Sequence, residues 1–179
     1  MLFQSIVRQW CKIYTPILDN PNNGNRRFFL TDTREGLVEL VKNFEPKMSP
    51  SVIMESGVEV SGKIRRPDRN FPIYFFVRAR TLKDGDAAAE ANEEAYYHCK
   101  QFLSWVIKMQ EEEQNMGRSS DGDFTRIHLD DFISIDPVGP IGDGWYAVLL
   151  QIDQDDPLDL CIDESLYIDP NDVDDDGQG

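Results

Sequence analysis

The sequence predicts an α+β domain: a mostly antiparallel sheet with one long helix and one or two shorter helices packed on it. Three segments place apolar residues three and four positions apart, which is the helical pattern. Other segments alternate apolar and polar residues or are short apolar runs that end at glycine and proline, which is the strand pattern. The predicted order is helix, short strand, helix, two or three strands, long helix, and two or three strands.

The elements of the first part follow from this pattern and from the breakers between them. An amphipathic helix is predicted first, and the asparagine-rich segment behind it reads as a loop. The predicted elements are a helix over 3–14, a loop over 20–25, a strand over 26–30, a helix capped by Thr31, Asp32 or Thr33 and ended by Pro46 and Pro50, and a strand over 51–55 that 58–64 continues as a hairpin.

The segment 71–81 is the clearest predicted strand, because its side chains alternate between two faces. One face carries Ile73, Phe75, Val77 and Ala79, and the other carries Tyr74, Phe76, Arg78 and Arg80. We expect the first face to be core. The second face sets cations on an aromatic base, so we expect it to meet carboxylates of the same subunit or of a neighbour.

The longest helix is predicted over about 86–114, directly after Asp84 and Gly85. At 1.5 Å per residue it would span roughly 40 Å, which is long for a domain of this size. The three glutamates at 111–113 oppose the helix dipole, so fraying is expected there.

Two further strands are predicted near the C-terminal end of the domain, over 127–136 and 145–153. The turn between them is assigned to Pro137, Gly139, Pro140, Gly142 and Gly144. An additional edge strand is expected over 158–162. The predicted organisation is therefore one domain over 1–162 and an acidic, flexible tail over 163–179.

The formal charge of −15 falls entirely after Arg126. Residues 1–126 hold all 18 basic residues and 18 of the 33 acidic ones, whereas residues 127–179 hold 15 acidic residues and no lysine or arginine. Such a split bears on partners rather than on fold. It argues against binding of a phosphate backbone and favours a surface that repels nucleic acid or meets a basic partner.

The sequence predicts reduced thiols and no membrane-spanning helix. No apolar run approaches the roughly 18 residues that a membrane helix needs, so no membrane contact is expected. The N-terminus has no small-residue cleavage site of the secretory kind. Cys11, Cys99 and Cys161 are odd in number and far apart, which favours free thiols in a cytosolic setting.

No catalytic signature is present, so we expect no enzyme, no cofactor and no catalytic or metal-binding residue. Residues 172–177 match the first half of a calcium loop, but no glutamate follows at the twelfth position, and a solvated acidic segment is favoured. Magnesium could be held by Asp153, Asp155 and Asp156, or by Asp130 and Asp131, yet no histidine or glutamate-rich helix pair completes a site. His98 and Cys99 are neighbours on a helix, so their side chains diverge by about 100°.

The order and length of these segments resemble those of the tail-terminator and tail-completion proteins of long-tailed bacterial viruses. The corresponding stretches are the helix 2–14, the strands within 51–81, the helix 86–114 and the hairpin 127–153. The resemblance covers most of residues 1–155. It implies a subunit of a ring, usually six-fold, that sits on the last ring of the tail tube, stops its growth and offers a face to the head connector.

The resemblance also gives the charge split a use, because an acidic lumen lets DNA pass without specific binding. It implies a hexameric homo-oligomer that contacts tail-tube and head-connector proteins, in the neck of a virion assembled in the host cytoplasm. The candidate interface or lumen residues are Arg78, Arg80, Asp130, Asp131, Asp153, Asp155 and Asp156.

Two other classes of function remain open at this point. An acidic interaction module could imitate DNA and inhibit a nucleic-acid-binding enzyme, and it would be a small oligomer with salt-sensitive affinity. A metal-dependent enzyme would need convergent aspartates, and a divalent metal would then raise its melting temperature.

Overall fold

The computed structural model describes residues 3–56, 59–63, 66–81, 84–117, 123–129 and 134–155, with the backbone alone for 59–63, 66–69 and 155. These residues form an α+β fold, as predicted, with three α-helices and a seven-stranded sheet. None of the described helices is long and apolar enough to cross a membrane. The predicted strand over 158–162 and the predicted tail over 163–179 lie outside the described residues.

The sheet is mostly antiparallel, and its strands are joined in the order β1-β2-β4-β7. Only β1 and β2 pair in parallel within the described residues. Strand β3 pairs with β4 beyond the end of β2, and both β5 and β6 pair with the far side of β7. The elements are α1 (Phe3–Ile13), β1 (Phe28–Thr31), α2 (Arg34–Lys42), β2 (Ser51–Glu55), β3 (Glu59–Lys63), β4 (Arg66–Arg78), α3 (Gly85–Asn115), β5 (Ile127–His128), β6 (Ser134–Ile141) and β7 (Trp145–Asp155).

All three predicted helices are confirmed, and the N-terminal caps of α2 and α3 follow from the sequence. The Thr33 hydroxyl accepts the Gly36 amide at 3.0 Å at the start of α2, and the Asp84 carboxylate accepts the Asp86 amide at 3.0 Å at the start of α3. Helix α3 continues past the glutamates where fraying was expected. Glu113 stabilises this end, because its carboxylate accepts the amides of Phe124 and Thr125, each at 3.0 Å.

Both faces of β4 are covered over residues 71–77, which corrects the prediction of a cationic face on the strand 71–81. The odd-numbered side chains Ile73, Phe75 and Val77 lie in a large core beneath α1 and α3. Tyr74 and Phe76 point the other way and lie in a second core beneath α2, with Trp145 among its buried members. The cations of that alternation come only where the strand ends, with Arg78 half-buried and Arg80 exposed.

Three strand predictions were wrong in detail. Residues 59–63 pair with β4 and not with β2. The strand predicted over 127–136 is two strands, β5 and β6, which contact different parts of β7. Pro137 and Pro140, expected in a turn, lie within β6, because an edge strand tolerates residues that cannot donate an amide to a ladder.

Candidate interaction surfaces

A buried carboxylate organises the loop that follows α1. Asp19 Oδ1 accepts the amides of Arg27 at 2.6 Å and of Phe28 at 3.0 Å, and the Asp19 amide donates to the Cys11 carbonyl at 2.8 Å. Asp19 is only 6% exposed. Because one residue joins the end of α1 to the start of β1, the intervening loop 20–25 is held against both elements.

Three cations surround the depression that this loop encloses, a pocket of about 690 Å³. Arg8, Lys12 and Arg26 are all exposed, and none has a carboxylate partner among the described residues. The Arg8 guanidinium lies 5.3 Å from the centre of the Phe28 ring. We call this feature the basic pocket; its lining residues are Arg8, Lys12, Leu18, Asp19, Asn20, Pro21, Asn22, Arg26 and Phe28.

The opposite edge of the sheet carries negative charge. Residues 134–155, which form β6 and β7, contain four aspartates and no basic residue, and we call them the acidic hairpin. Asp136 is exposed, and Asp153 is half-buried with its Oδ1 accepting from Asn70 Nδ2 at 2.9 Å. Since β2 and β4 separate β1 from β7, the basic pocket and the acidic hairpin lie on opposite sides of the molecule.

Arg78 and Asp153, two of the interface candidates from the sequence, lie far apart along the β4–β7 ladder. Arg78 lies opposite Trp145, whereas Asp153 lies opposite Asn70, eight residues away along the same ladder. At about 3.3 Å per residue the two ends are roughly 26 Å apart, so Arg78 cannot pair with Asp153 of its own chain. Pairing with a neighbouring subunit stays a prediction for Arg78 and Arg80.

Several predicted site residues lie where their surroundings are not described. Asp130, Asp131 and Asp156 fall outside the described residues, as does the calcium-like segment 172–177, and Asp155 is described by its backbone alone. Among the described residues, no group of three or more histidine, cysteine, aspartate or glutamate side chains could hold a metal ion.

A polar pocket on the α2 face was missed by the sequence analysis. The Tyr74 hydroxyl donates to Glu55 Oε1 at 2.6 Å, beside a small pocket of about 260 Å³ lined also by Arg34 and Gln151. Burial, and then the hydrogen bond to Glu55, raise the pKa of Tyr74. The tyrosine therefore remains a hydrogen-bond donor at all physiological pH values.

The two described cysteines are free and buried. Burial raises the pKa of the Cys99 thiol to about 12, and burial followed by the charge of Asp19 raises the pKa of Cys11 well above its ordinary value. A thiol rather than a reactive thiolate is therefore present at neutral pH in both positions.

His98 is a buried titratable group between α1 and α3. Its Nδ1 lies 3.0 Å from the Tyr14 hydroxyl, and its Nε2 lies 3.7 Å from Glu94 Oε1. Burial lowers the pKa of His98, and the nearby charge of Glu94 opposes that effect in part. The imidazole is therefore neutral in the folded protein at neutral pH.

This burial makes stability depend on pH. In the unfolded chain His98 takes up a proton near pH 6.5, whereas the folded chain resists protonation, so the free energy of unfolding should fall as pH drops below about 6.5. The contribution of this one group is at most about 1.4 kcal/mol per pH unit. Urea unfolding of the wild type and of His98→Asn at pH 7, 6 and 5 measures it. Equal pH slopes for the two proteins would contradict the assignment.

No protein-family model matches the chain, and no curated protein matches it in sequence.

Proposed function

We propose that this protein is a structural subunit of a ring that ends the tail of a long-tailed bacterial virus, as tail-terminator and tail-completion proteins do. The observation that carries the proposal is the placement of opposite charges on opposite edges of one sheet, the basic pocket beside β1 and the acidic hairpin at β6 and β7. Two different surfaces that complement each other favour head-to-tail contacts, and such contacts form a ring when the rotation closes.

The element order supports the same proposal. An N-terminal helix, an antiparallel sheet, one long helix packed on it and a closing hairpin follow one another as in those proteins. In the proposed ring, hexameric by analogy, the subunits contact the tail tube on one side and the head connector on the other. The acidic residues after Arg126 that the subunit contacts leave free face the channel, where they keep DNA from binding during its passage. The ring belongs to the virion neck and is assembled in the host cytoplasm.

Native mass at high protein concentration tests this function. Light scattering behind a sizing column should give about six times the chain mass of 20.6 kDa. Because the contacts are electrostatic, the particle should lose mass between low and high salt. A protein that stays monomeric at low salt, and that also fails to bind purified tail-tube tips, would refute the proposal.

The acidic hairpin also favours a second candidate, an inhibitor that imitates DNA. Four aspartates without a neighbouring cation in sequence would suit a basic cleft on a nucleic-acid-binding enzyme. This candidate predicts a small particle that binds such an enzyme tightly and in a salt-dependent way. The mass measurement separates the two, because an inhibitor needs no ring.

A further inference from the structure

The basic pocket is unusual in a protein whose net charge is −15. Its three exposed cations lack carboxylate partners among the described residues, and the single carboxylate that lines it, Asp19, is committed to two backbone amides. Leu18, which is 48% exposed, gives the pocket an apolar side, whereas Phe28 is only 3% exposed and lies beneath Arg8. A ligand that fits would therefore carry several negative charges together with apolar groups.

The chain itself contains a segment of this chemistry. Residues 156–179, which follow β7, include nine acidic residues and no basic one. Near the start of the segment, Leu158, Leu160 and Ile162 alternate with Asp159 and Asp163. The sequence predicts a strand over 158–162, and alternate side chains of a strand lie on opposite faces. A segment of this pattern can place its apolar side chains against Leu18 while its carboxylates meet the cations.

We propose that the basic pocket of one copy binds the acidic segment 156–179 of the next copy in the ring. This inference rests on the proposed head-to-tail assembly. Asp155, the last residue of β7, lies opposite Asp68 of β4. Phe28 of the pocket pairs with Val52 of β2, which in turn pairs with Phe75 of β4. Phe75 lies seven residues beyond Asp68 along β4. Within one chain the segment therefore starts roughly 27 Å from its own pocket, seven residues along and three strands across.

Head-to-tail contact shortens that path. It brings the β6–β7 side of one copy to the β1 edge of the next, so the segment begins close to the neighbour's pocket. A nucleic acid is a poorer occupant, because three cations are few and the remaining charge of the protein repels phosphates. The basic pocket thus binds a segment of the neighbouring copy.

Zero-length carbodiimide crosslinking of the full chain tests this contact. Lys12 is the one amine among the residues lining the pocket, and the segment offers carboxylates but no lysine. Equal amounts of unlabelled and ¹⁵N-labelled protein are mixed at high salt, returned to low salt, crosslinked and digested. Mass spectrometry should find Lys12 joined to a carboxylate of 156–179 in peptides that combine both labels.

A matched pair of double variants tests whether the contact is specific to the basic pocket. Arg8→Glu with Arg26→Glu should reduce the mixed-label crosslinks at Lys12 at least about tenfold, the loss expected when close charge pairs become repulsive. Lys47→Glu with Lys108→Glu changes the net charge equally at two exposed positions outside the pocket, and it should leave those crosslinks unchanged. Crosslinks of Lys47 to Glu45, 2.6 Å away, verify the chemistry in the wild type.

Three results would overturn the inference. In the first, every Lys12 crosslink carries a single label, which places the segment in the pocket of its own chain. In the second, Lys12 forms no crosslink while the Lys47 control reacts. In the third, a short DNA duplex protects Lys12 and no mixed-label products form. Native mass recorded on the same sample keeps the two proposals apart. Rings without the Lys12 crosslink would agree with the proposed function and refute only the binding of segment 156–179 to the basic pocket.

Discussion

Replacing Phe102 with alanine is expected to lower the free energy of unfolding by about 3–5 kcal/mol, the range for large aromatic truncations in a core. Phe102 is fully buried on α3, at the point where the helices meet the sheet. Its ring centre lies 5.3 Å from that of Trp10 on α1 and 5.9 Å from that of Phe75 on β4. Losing the ring therefore leaves a cavity among three elements.

Urea unfolding followed by circular dichroism measures the loss. Ile107→Ala on the exposed side of the same helix is the control, and it should change stability by no more than about 0.5 kcal/mol. Phe102→Leu keeps much of the volume and should fall between the two. A loss below about 1 kcal/mol for Phe102→Ala would show that the three elements do not pack on this ring.

Replacing Asp19 with alanine is expected to cost about 2–4 kcal/mol, because it leaves the amides of Arg27 and Phe28 without their acceptor. The Phe28 amide is buried, so water cannot replace the lost oxygen there without local rearrangement. The same change should open the basic pocket, since Asp19 joins the loop to both α1 and β1.

Asp19→Asn is the matched variant, because its amide oxygen can still accept from both backbone groups while the charge is gone. It should lose less than half of the stability that Asp19→Ala loses. Equal losses would mean that the negative charge, rather than the hydrogen bonds, is what stabilises the loop. Chemical unfolding at pH 7 distinguishes these outcomes for both proteins.

The helices were readable from the sequence because their signals are local. The three- and four-residue spacing located α1 and α3 within a residue or two, and Thr33 was among the caps considered for α2. Strand pairing is not local. Residues 58–64 were assigned to a hairpin with the preceding strand, yet β4 extends five residues earlier than predicted and takes β3 as its partner.

The candidate site was harder to predict for the same reason. Arg8 and Lys12 lie one turn apart on α1, whereas Arg26 follows a loop, and the Asp19 hydrogen bonds hold that loop against both α1 and β1. Asp19 itself stood next to an asparagine-rich loop and carried no pattern of its own. Of the basic residues that did stand out, Arg78 ends β4 and Arg80 follows it.

The burial of both faces of β4 over residues 71–77 has a consequence for the register of this strand. In a sheet with one wet face, a one-residue slip would turn apolar side chains to water, and this penalty fixes the register. Here a slip would exchange one set of aromatic and aliphatic side chains for another, so polarity alone discriminates weakly. The hydrogen bonds Tyr74–Glu55 and Asn70–Asp153 favour the observed register, because each can form in only one alignment of β4 with its neighbours.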